Sequence, residues 1–308
     1  MIRIAVAAEK ANFSTVWVAD HAPASMWRDP FIAMAAIGQH TERVKIGVGV
    51  ANPYSRYVAL TGVAAATLAE LCGERIILGM GAGGTLPLLP LGIEMWNKPM
   101  TAVREAVELL KQFFKGETTN YDGELVKLKN ARLFSPVSVP VYVGTRGPAL
   151  SRLAGEIADG IILNPPIDAL DVYLDEVRKG LTDTKRSKID VVEFVPVSVS
   201  EKGKYDQVKP TVALLIPTTP SWALEMINAV EPAREIGEML KKDRAKAATL
   251  VPDGLAKSFA IAGNRKQCVD QIAQIASKVD ELVALSFGTV QDTMSMIDVF
   301  GKEIVPSF

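Results

Sequence analysis

The stretch VKIGVGVANPYSRYVALTGVAAATLAELCGERIILGM, residues 44–80, contains two short apolar segments separated by a longer helical pattern. Segments 44–50 and 75–80 are rich in Val, Ile and Leu, which predicts strands that are buried on both faces. Residues 57–72, which lie between them, have the length and composition of a helix. A strand, a helix and a second strand in this order predict a βαβ unit with parallel strands.

The same alternation of strand and helix patterns extends along most of the chain. It predicts further strands at 15–19, 140–144, 160–164, 191–199 and 281–287, and further helices at 30–41, 100–115, 148–158, 168–179 and 265–278. Repeated βα units of this kind predict an α/β fold of the TIM (β/α)8 barrel type.

The predicted strands number one fewer than such a barrel requires, and the strand that would come first is missing. Residues 2–11 have a helical pattern, and Asn12 is suited to a left-handed end of that helix. Residues 203–262 contain several prolines and helical segments but no predicted strand. We interpret them as a helical insertion before the last strand, within a single domain that spans residues 1–308.

The composition argues against several classes of protein. The 34 basic and 35 acidic residues balance, so no excess charge favours binding to nucleic acid or to a membrane surface. No apolar run reaches the roughly 18 residues of a membrane-spanning helix, and the N-terminus lacks the features of a signal peptide. Cys72 and Cys268 lie far apart within helical patterns, which predicts reduced, buried thiols in a cytoplasmic protein.

Polar residues and glycines follow several predicted strands at the point where each strand ends. In a parallel barrel the carboxyl ends of the strands converge on one face, which is where functional residues gather. Asp20 and His21 are the candidate acid and base, although a histidine that simply bonds a backbone carbonyl is the alternative for His21. The other candidates are Asn52, Gly81, Ala82, Gly83, Gly144, Thr145, Arg146, Gly147 and Asn164.

Two glycine-rich loops are candidates for a phosphate site. Residues 79–84, GMGAGG, fit the dinucleotide pattern G-x-G-x-x-G, but Pro87 and Pro90 follow where that motif needs a helix. Their backbone N–H groups are still suited to a phosphate, and a tight turn without a ligand is the alternative. Residues 144–148, GTRGP, begin a predicted helix and contain a guanidinium. One phosphate-bearing ligand that meets both loops is therefore the simpler interpretation.

The chain lacks the motifs by which many enzymes carry out chemistry without a cofactor. It contains no His, Cys, Asp or Glu cluster at metal-ligand spacing, no G-x-S-x-G and no G-x-x-x-x-G-K-[ST] sequence. Because the chain has only two histidines, a bound cofactor would have to supply redox or hydrolytic chemistry.

Four segments resemble the bacterial luciferase-like family: FSTVWVADH (13–21), VKIGVGVANPYSRYVALTGVAAATLAELCGERIILGMGAGG (44–84), VPVYVGTRGPALSRLAGEIADGIILN (139–164) and FAIAGNRKQCVDQIAQIASKVDELVALSF (259–287). More narrowly, they resemble its branch that uses the deazaflavin coenzyme F420 and includes methylenetetrahydromethanopterin reductase. The resemblance implies a TIM barrel with insertions, usually a homodimer, whose cofactor lies across the carboxyl ends of the strands.

The resemblance also implies roles for individual residues. Asp20 would meet the deazaflavin head, and His21 would lie near its reacting face and shuttle a proton. A cis peptide bond at Gly49–Val50 would support the ring, and residues 81–83 and 144–147 would meet its phosphate side. The implied activity is hydride transfer between the deazaflavin and a small organic substrate, as in the reductase.

Two other functions remain open at this point. One is an FMN-dependent monooxygenase of the same family, and the other is a non-catalytic barrel that binds a flavin or deazaflavin or has lost its cofactor. The reductase has a carboxylate on its first strand, which this chain does not supply. The sugar-phosphate dehydrogenases of the branch have an acid where Gly84 and Thr85 stand here.

Overall fold

The computed structural model describes residues 1–20, 28–84, 88–93, 98–200, 205–286 and 289–307. Contacts within the chain define two compact units. The first consists of Met1–Thr145, Ala149–Ile162 and Glu176–Ile189, and the second of Arg146–Pro148, Leu163–Asp175 and Asp190–Phe308. The single domain expected from the sequence stays a prediction.

Strands and helices alternate through residues 2–183 as the sequence predicts, apart from the two strands between 119 and 131. The strands are β1 Thr15–Val18, β2 Lys45–Ala51, β3 Ile76–Gly81, β4 Thr119–Asp122, β5 Lys127–Ala131, β6 Val141–Gly144 and β7 Gly160–Leu163. The helices are α1 Ile2–Lys10, α2 Pro30–Gly38, α3 Val58–Cys72, α4 Pro99–Phe113, α5 Pro148–Ile157 and α6 Leu170–Asp183. Helix α1 precedes the first strand of the structure, and Asn12 has the predicted left-handed conformation, with a φ of 62°.

The first unit is built on a parallel sheet with the strand order β1–β2–β3–β6–β7. On one face of this sheet the rings of Trp17 and Tyr142 lie 6.3 Å apart between centroids. Glycines on the neighbouring strands provide the space, because a Cβ on Gly47 would lie 2.4 Å from the Trp17 ring. A Cβ on Gly160 would likewise lie 2.7 Å from the Tyr142 ring. Two large aromatic rings therefore fill this face and need glycine opposite them.

Two acidic side chains attach peripheral segments to the first unit. Glu9 of α1 accepts hydrogen bonds from the backbone N–H groups of residues 42–44, which lead into β2. Asp29 caps the N-terminus of α2 by accepting from the N–H groups of Phe31 and Ile32. Both contacts satisfy backbone donors that the regular elements leave unpaired.

The antiparallel hairpin β4–β5 was not predicted from the sequence. Its strands, TNYD and KLKNA, are short and polar, so they lack the apolar pattern of a buried strand. The hairpin turn is held instead by Glu105 of α4, whose buried carboxylate accepts from the N–H groups of Glu124, Leu125 and Val126 at 2.6–2.8 Å.

The second unit contains the strands β8 Asp190–Val199, β9 Ile261–Gly263 and β10 Glu281–Leu285. Strand β8 pairs in parallel with both of the others. The prediction that residues 203–262 lack a strand was wrong at its end, because a three-residue strand such as β9 carries too little pattern to be recognised.

Helices dominate the rest of the second unit. They are α7 Lys209–Leu215, α8 Ser221–Met226, α9 Val230–Leu240, α10 Arg244–Thr249, α11 Asp253–Lys257, α12 Arg265–Ala276 and α13 Val290–Val299. Helices α7 to α11 share a core of their own, which includes Val212, Ile216, Ile236 and Phe259. Helix α12 begins with the predicted capping box of Asn264 and Gln267, whereas α13 was not predicted. None of the helices in the described part of the chain has the length and apolar character that a membrane crossing requires.

Candidate functional site

Several of the predicted site residues come together in the first unit. Because β1, β2, β3 and β6 are parallel, their carboxyl ends lie at one edge of the sheet. Asp20, Asn52, residues 82–84 and Thr145 follow these ends directly. His21, the predicted base, lies outside the described residues.

The peptide bond between Gly49 and Val50 is cis, as the resemblance implies. The side chain of Val50 occupies the space beside glycines of two neighbouring strands. A Cβ on Gly144 would lie 2.5 Å from Cγ1 of Val50, and a Cβ on Gly81 would lie 2.7 Å from Cγ2. Gly81 and Gly144 are therefore required by packing, whatever else their backbones bind.

Asn52 carries the clearest sign of a missing partner in this unit. Its buried side-chain oxygen accepts hydrogen bonds from the N–H groups of Tyr54 and Ser55, at 3.0 and 2.8 Å. These two bonds fix the amide orientation, so that Nδ2 points the other way. Nδ2 is buried and has no hydrogen-bond partner among the described residues. An unpaired buried donor costs about 1–3 kcal/mol, so the site is suited to a ligand that presents an acceptor.

Gly83 lies beside Asn52 and has a left-handed backbone, with a φ of 72°. A Cβ at this position would approach Cβ and Cγ of Asn52 to 3.3 Å. By contrast, an added Cβ on Gly84 would meet nothing within 4 Å. The loop that follows β3 therefore has open space beside Gly84, as a cradle for a ligand needs.

A pocket of about 280 Å³ also opens in the first unit, lined by Asp20, Asp29, Pro30, Phe31, Ser55, Arg56 and Leu91. Arg56 lies over the Phe31 ring, 4.8 Å from its centroid, and pairs with Asp29 at 3.4 Å. Its Nε is buried without a partner among the described residues. Sequence reasoning missed Arg56, because an arginine in a loop carries no pattern of its own.

The remaining predicted residues belong to the second unit. The Nη2 atom of Arg146 donates to Oδ1 of Asn164 at 3.0 Å, and its Nη1 donates to the hydroxyl of Thr218. Nδ2 of Asn164 donates in turn to the carbonyl of Phe194. Arg146 and Asn164 are thus in direct contact, and their roles in binding a cofactor stay predictions. Burial lowers the pKa of Arg146, and nearby Tyr173 opposes that shift.

Tyr173 and Glu193 complete the polar groups around this cluster. The hydroxyl of the fully buried Tyr173 donates to the carbonyl oxygen of Arg146 at 2.9 Å, and burial raises the pKa of Tyr173. Glu193 on β8 is 1% exposed, and its Oε2 has no partner among the described residues. Burial raises the pKa of Glu193 well above its usual value. A glutamate inside the apolar run VVEFVPV was the available sequence signal, and it was missed.

Within the described ranges, no group of three or more His, Cys, Asp or Glu side chains is arranged to hold a metal ion. Among these residues, the buried side-chain atoms without a hydrogen-bond partner are Nδ2 of Asn52, Nε of Arg56 and the hydroxyl of Thr61 in the first unit, and Oε2 of Glu193 and Nε1 of Trp222 in the second.

The chain belongs to the luciferase-like monooxygenase family, whose sequence pattern it matches over residues 1–281. Among curated relatives, it is 31% identical over 314 residues to a 5,10-methylenetetrahydromethanopterin reductase of Archaeoglobus fulgidus, covering 97% of this chain and 92% of that protein. It is 29% identical to an F420-dependent glucose-6-phosphate dehydrogenase of Tsukamurella paurometabola, covering 99% of this chain and 93% of that protein.

Solved structures of F420-dependent enzymes are also similar to this chain. The coenzyme F420 dependent tetrahydromethanopterin reductase from Methanopyrus kandleri superposes with a TM-score of 0.91 and 28% identity, over 100% of this chain and 94% of that one. An F420-dependent secondary alcohol dehydrogenase in complex with an F420-acetone adduct superposes with a TM-score of 0.79 and 20% identity, over 99% of this chain and 93% of that one, which shows a shared fold. The predicted luciferase-like α/β barrel fold is therefore confirmed.

Proposed function

We propose that the protein is a coenzyme F420-dependent oxidoreductase that acts on a small organic substrate. The observation that carries the proposal is the buried Nδ2 of Asn52, which has no partner among the residues that the structure describes and lies beside the left-handed Gly83 at the carboxyl edge of the sheet. A heterocyclic ring system rich in carbonyl oxygens and ring nitrogens would satisfy this donor. The F420-dependent relatives at about 30% identity point to the same cofactor.

Residues of the first unit would hold the cofactor. Asn52 would donate to its ring system, Val50 would support the ring, and the backbone at Gly83 would face its anionic side. When bound, F420 supplies the hydride chemistry that the side chains lack. His21 keeps its predicted role as proton carrier, and Asp20 its predicted contact with the ring.

Equilibrium binding followed by cofactor fluorescence under anaerobic conditions tests this proposal. We expect saturable binding of reduced F420 and much weaker binding of FMN. Binding of FMN alone, with oxygen consumption when a flavin reductase is added, would favour the monooxygenase. Binding of neither cofactor would favour a non-catalytic barrel.

The variant Asn52→Asp makes the test specific to the site. Aspartate keeps an oxygen for the N–H groups of Tyr54 and Ser55 but replaces the free donor with an acceptor. We expect the affinity for F420 to fall about 10- to 100-fold while the fold is retained. Asn130→Asp changes an exposed asparagine in the same way and should bind F420 normally.

We also propose that the protein is a homodimer. The helix α3 exposes Leu60, Val63 and Leu71, with exposed fractions of 58%, 45% and 52%, along one side. Ile32 of α2 is 73% exposed. Exposed apolar side chains grouped on a helix are typical of a surface covered by a partner. Sedimentation velocity should give a dimer that Leu60→Asp together with Leu71→Asp converts to a monomer, whereas the exposed-position control Glu225→Gln should not.

We further propose a cytoplasmic location, because the two cysteines of the chain are buried, unpaired thiols. Alkylation of denatured protein from intact cells, followed by mass spectrometry, should recover both thiols reduced. Recovery of a disulfide between them would contradict this location.

A further inference from the structure

The loop of residues 52–57 carries Asn52 and connects strand β2 to helix α3. The direction of Nδ2 of Asn52 depends on this loop, because Oδ1 accepts from the N–H groups of Tyr54 and Ser55 at 3.0 and 2.8 Å. If these two N–H groups moved, the amide would rotate with them or lose one of its bonds. A binding donor of this kind is effective only when neighbouring residues hold it in place. The position of Asn52 therefore depends on what holds the rest of the loop.

A contact from outside the loop holds its far end. Tyr57 lies at the N-terminus of helix α3, and its side chain makes no capping hydrogen bond to the helix. The hydroxyl of Tyr57 donates instead to the carbonyl oxygen of Lys127, which lies 70 residues further along the chain. Because Tyr57 is 48% exposed, packing restrains it less than it would restrain a buried ring. The hydrogen bond to Lys127 is therefore a specific contact that fixes this end of the loop.

Lys127 begins strand β5, directly after the turn of the hairpin β4–β5. This turn, residues 123–126, is closed by a hydrogen bond from the N–H of Gly123 to the carbonyl of Val126, at 3.0 Å. The carboxylate of Glu105 accepts from three N–H groups of the turn, and a Cβ on Gly123 would lie 2.6 Å from this carboxylate. The turn thus packs directly on helix α4, which contains Glu105, and the carbonyl of Lys127 has a fixed position beside it.

A buried carboxylate is an expensive way to hold a peripheral hairpin. The two strands form a sheet of their own, apart from the parallel sheet, and a hairpin of two short strands is marginal in water by itself. Desolvation of the Glu105 carboxylate is unfavourable, and its three hydrogen bonds must offset it. Firm attachment has a use if the hairpin supports another element, and its carbonyl at Lys127 meets the loop of Asn52.

Direct packing between helices restrains α3 but not the loop before it. A Cβ on Gly62 would lie 3.0 Å from side-chain atoms of Leu110 and Phe113, so helices α3 and α4 are in close contact there. Gly62 lies more than one helical turn beyond Tyr57, and this contact holds the body of the helix. The loop before the helix needs a restraint of its own, which the hydroxyl of Tyr57 supplies.

We propose that Tyr57 is a positioning residue for the ligand-binding amide of Asn52, and that the hairpin β4–β5 is the support that it uses. The hydroxyl of Tyr57 joins the loop to the hairpin, and the carboxylate of Glu105 joins the hairpin to helix α4. The inference rests on the proposed function for the identity of the ligand, which is F420. The coupling between Tyr57 and the loop is a property of the protein without ligand, so it can be tested separately.

Tyr57→Phe and Tyr121→Phe provide a matched pair for an affinity test. Each removes one hydroxyl that joins the hairpin to a neighbouring element, because the hydroxyl of Tyr121 donates to Glu108 of helix α4 at 2.9 Å. In anaerobic fluorescence titrations we expect Tyr57→Phe to weaken the binding of reduced F420 about three- to tenfold, the size of one lost hydrogen bond. We expect Tyr121→Phe to bind F420 as the wild type does. Equal affinities in all three proteins, or equal losses in both variants, would overturn the proposal.

Two double variants test the route of the effect. If Tyr57 acts through the amide of Asn52, Tyr57→Phe should have little effect once Asn52→Asp has removed the donor. If it acts through the hairpin, Tyr57→Phe and Glu105→Gln together should weaken binding by less than the product of their separate effects. An effect of Tyr57→Phe that persists in full beside Asn52→Asp would contradict the positioning role. Strictly multiplicative effects of Tyr57→Phe and Glu105→Gln would contradict the role of the hairpin.

Amide hydrogen exchange in the protein without ligand separates this inference from the proposed function. Without the bond to Lys127, the N–H groups of Tyr54 and Ser55 should exchange about threefold faster in Tyr57→Phe, as measured by NMR, and at the wild-type rate in Tyr121→Phe. If the wild-type protein does not bind F420, the proposed function fails, and this measurement decides the inference by itself. Faster exchange confined to Tyr57→Phe would support the inference, and equal exchange in the three proteins would reject it.

Discussion

The buried carboxyl of Glu193 predicts an unusual dependence of stability on pH. Burial raises the pKa of Glu193 in the native protein, so the native state keeps a proton that the unfolded state releases. Between the unfolded pKa of about 4.3 and the raised native pKa, each unit of pH lowers the free energy of unfolding by about 1.4 kcal/mol through this group. Below the unfolded pKa both states are protonated, and the contribution no longer changes with pH.

The variant Glu193→Gln removes this titration and keeps the size of the side chain. Its amide introduces donors that lack acceptors in the same buried place, which should cost about 1–3 kcal/mol at every pH. We therefore expect the variant to be less stable than the wild type at pH 4. As the pH rises, its relative stability should improve by about 1.4 kcal/mol per unit until the native carboxyl ionises.

Urea unfolding of both proteins, followed by circular dichroism at pH 4 to 8, measures the difference directly. Glu225→Gln changes an exposed carboxyl of the same unit and should show no such trend. A constant difference between wild type and Glu193→Gln over this range would refute the reasoning. It would mean that the native state supplies the carboxylate with a partner or with water.

Three further substitutions test other contacts. Glu105→Gln should lower the free energy of unfolding by about 3 kcal/mol at pH 7 in urea titrations, because it weakens three charge-assisted bonds to the hairpin turn; a loss below about 0.5 kcal/mol would contradict this. Burial of Glu105 acts to raise its pKa, but the three hydrogen bonds outweigh burial and lower it. The difference in free energy of unfolding between the wild type and Glu105→Gln should therefore shrink only as the pH falls through that lowered pKa. Gly144→Ala should lower the free energy of unfolding by about 1–3 kcal/mol in thermal unfolding, because the added Cβ would contact Val50. Adding Val50→Ala to this variant should recover part of the loss, and strictly additive effects of the two substitutions would show that the contact is unimportant. Glu9→Gln should increase amide hydrogen exchange at residues 42–44, which unchanged exchange would disprove.

The strands and most helices were predictable because they depend on local patterns. The segments 44–50 and 75–80 became β2 and β3, and residues 57–72 became α3 with nearly the same bounds. The hairpin β4–β5 was not predictable in this way. Its turn depends on Glu105, which is about 20 residues away in the sequence and supplies three acceptor contacts.

The candidate site likewise has features that the sequence predicted and features that it did not. The parallel strand order implied that Asp20, Asn52 and Thr145 would gather at one edge, since parallel strands end together. The free donor of Asn52 was not foreseeable, because it follows from which of its two amide atoms the turn at Tyr54 uses.

The sequence by itself determined the alternation of strands and helices and the strand ends at which functional residues collect. These are properties of neighbouring residues and of backbone conformation. Only the tertiary structure decided that Arg146 would meet Thr218, 72 residues further along the chain, and that Oε2 of Glu193 would be buried with no partner in the described part of the chain. Charge pairing and desolvation depend on which distant groups folding brings together, and no local pattern records them.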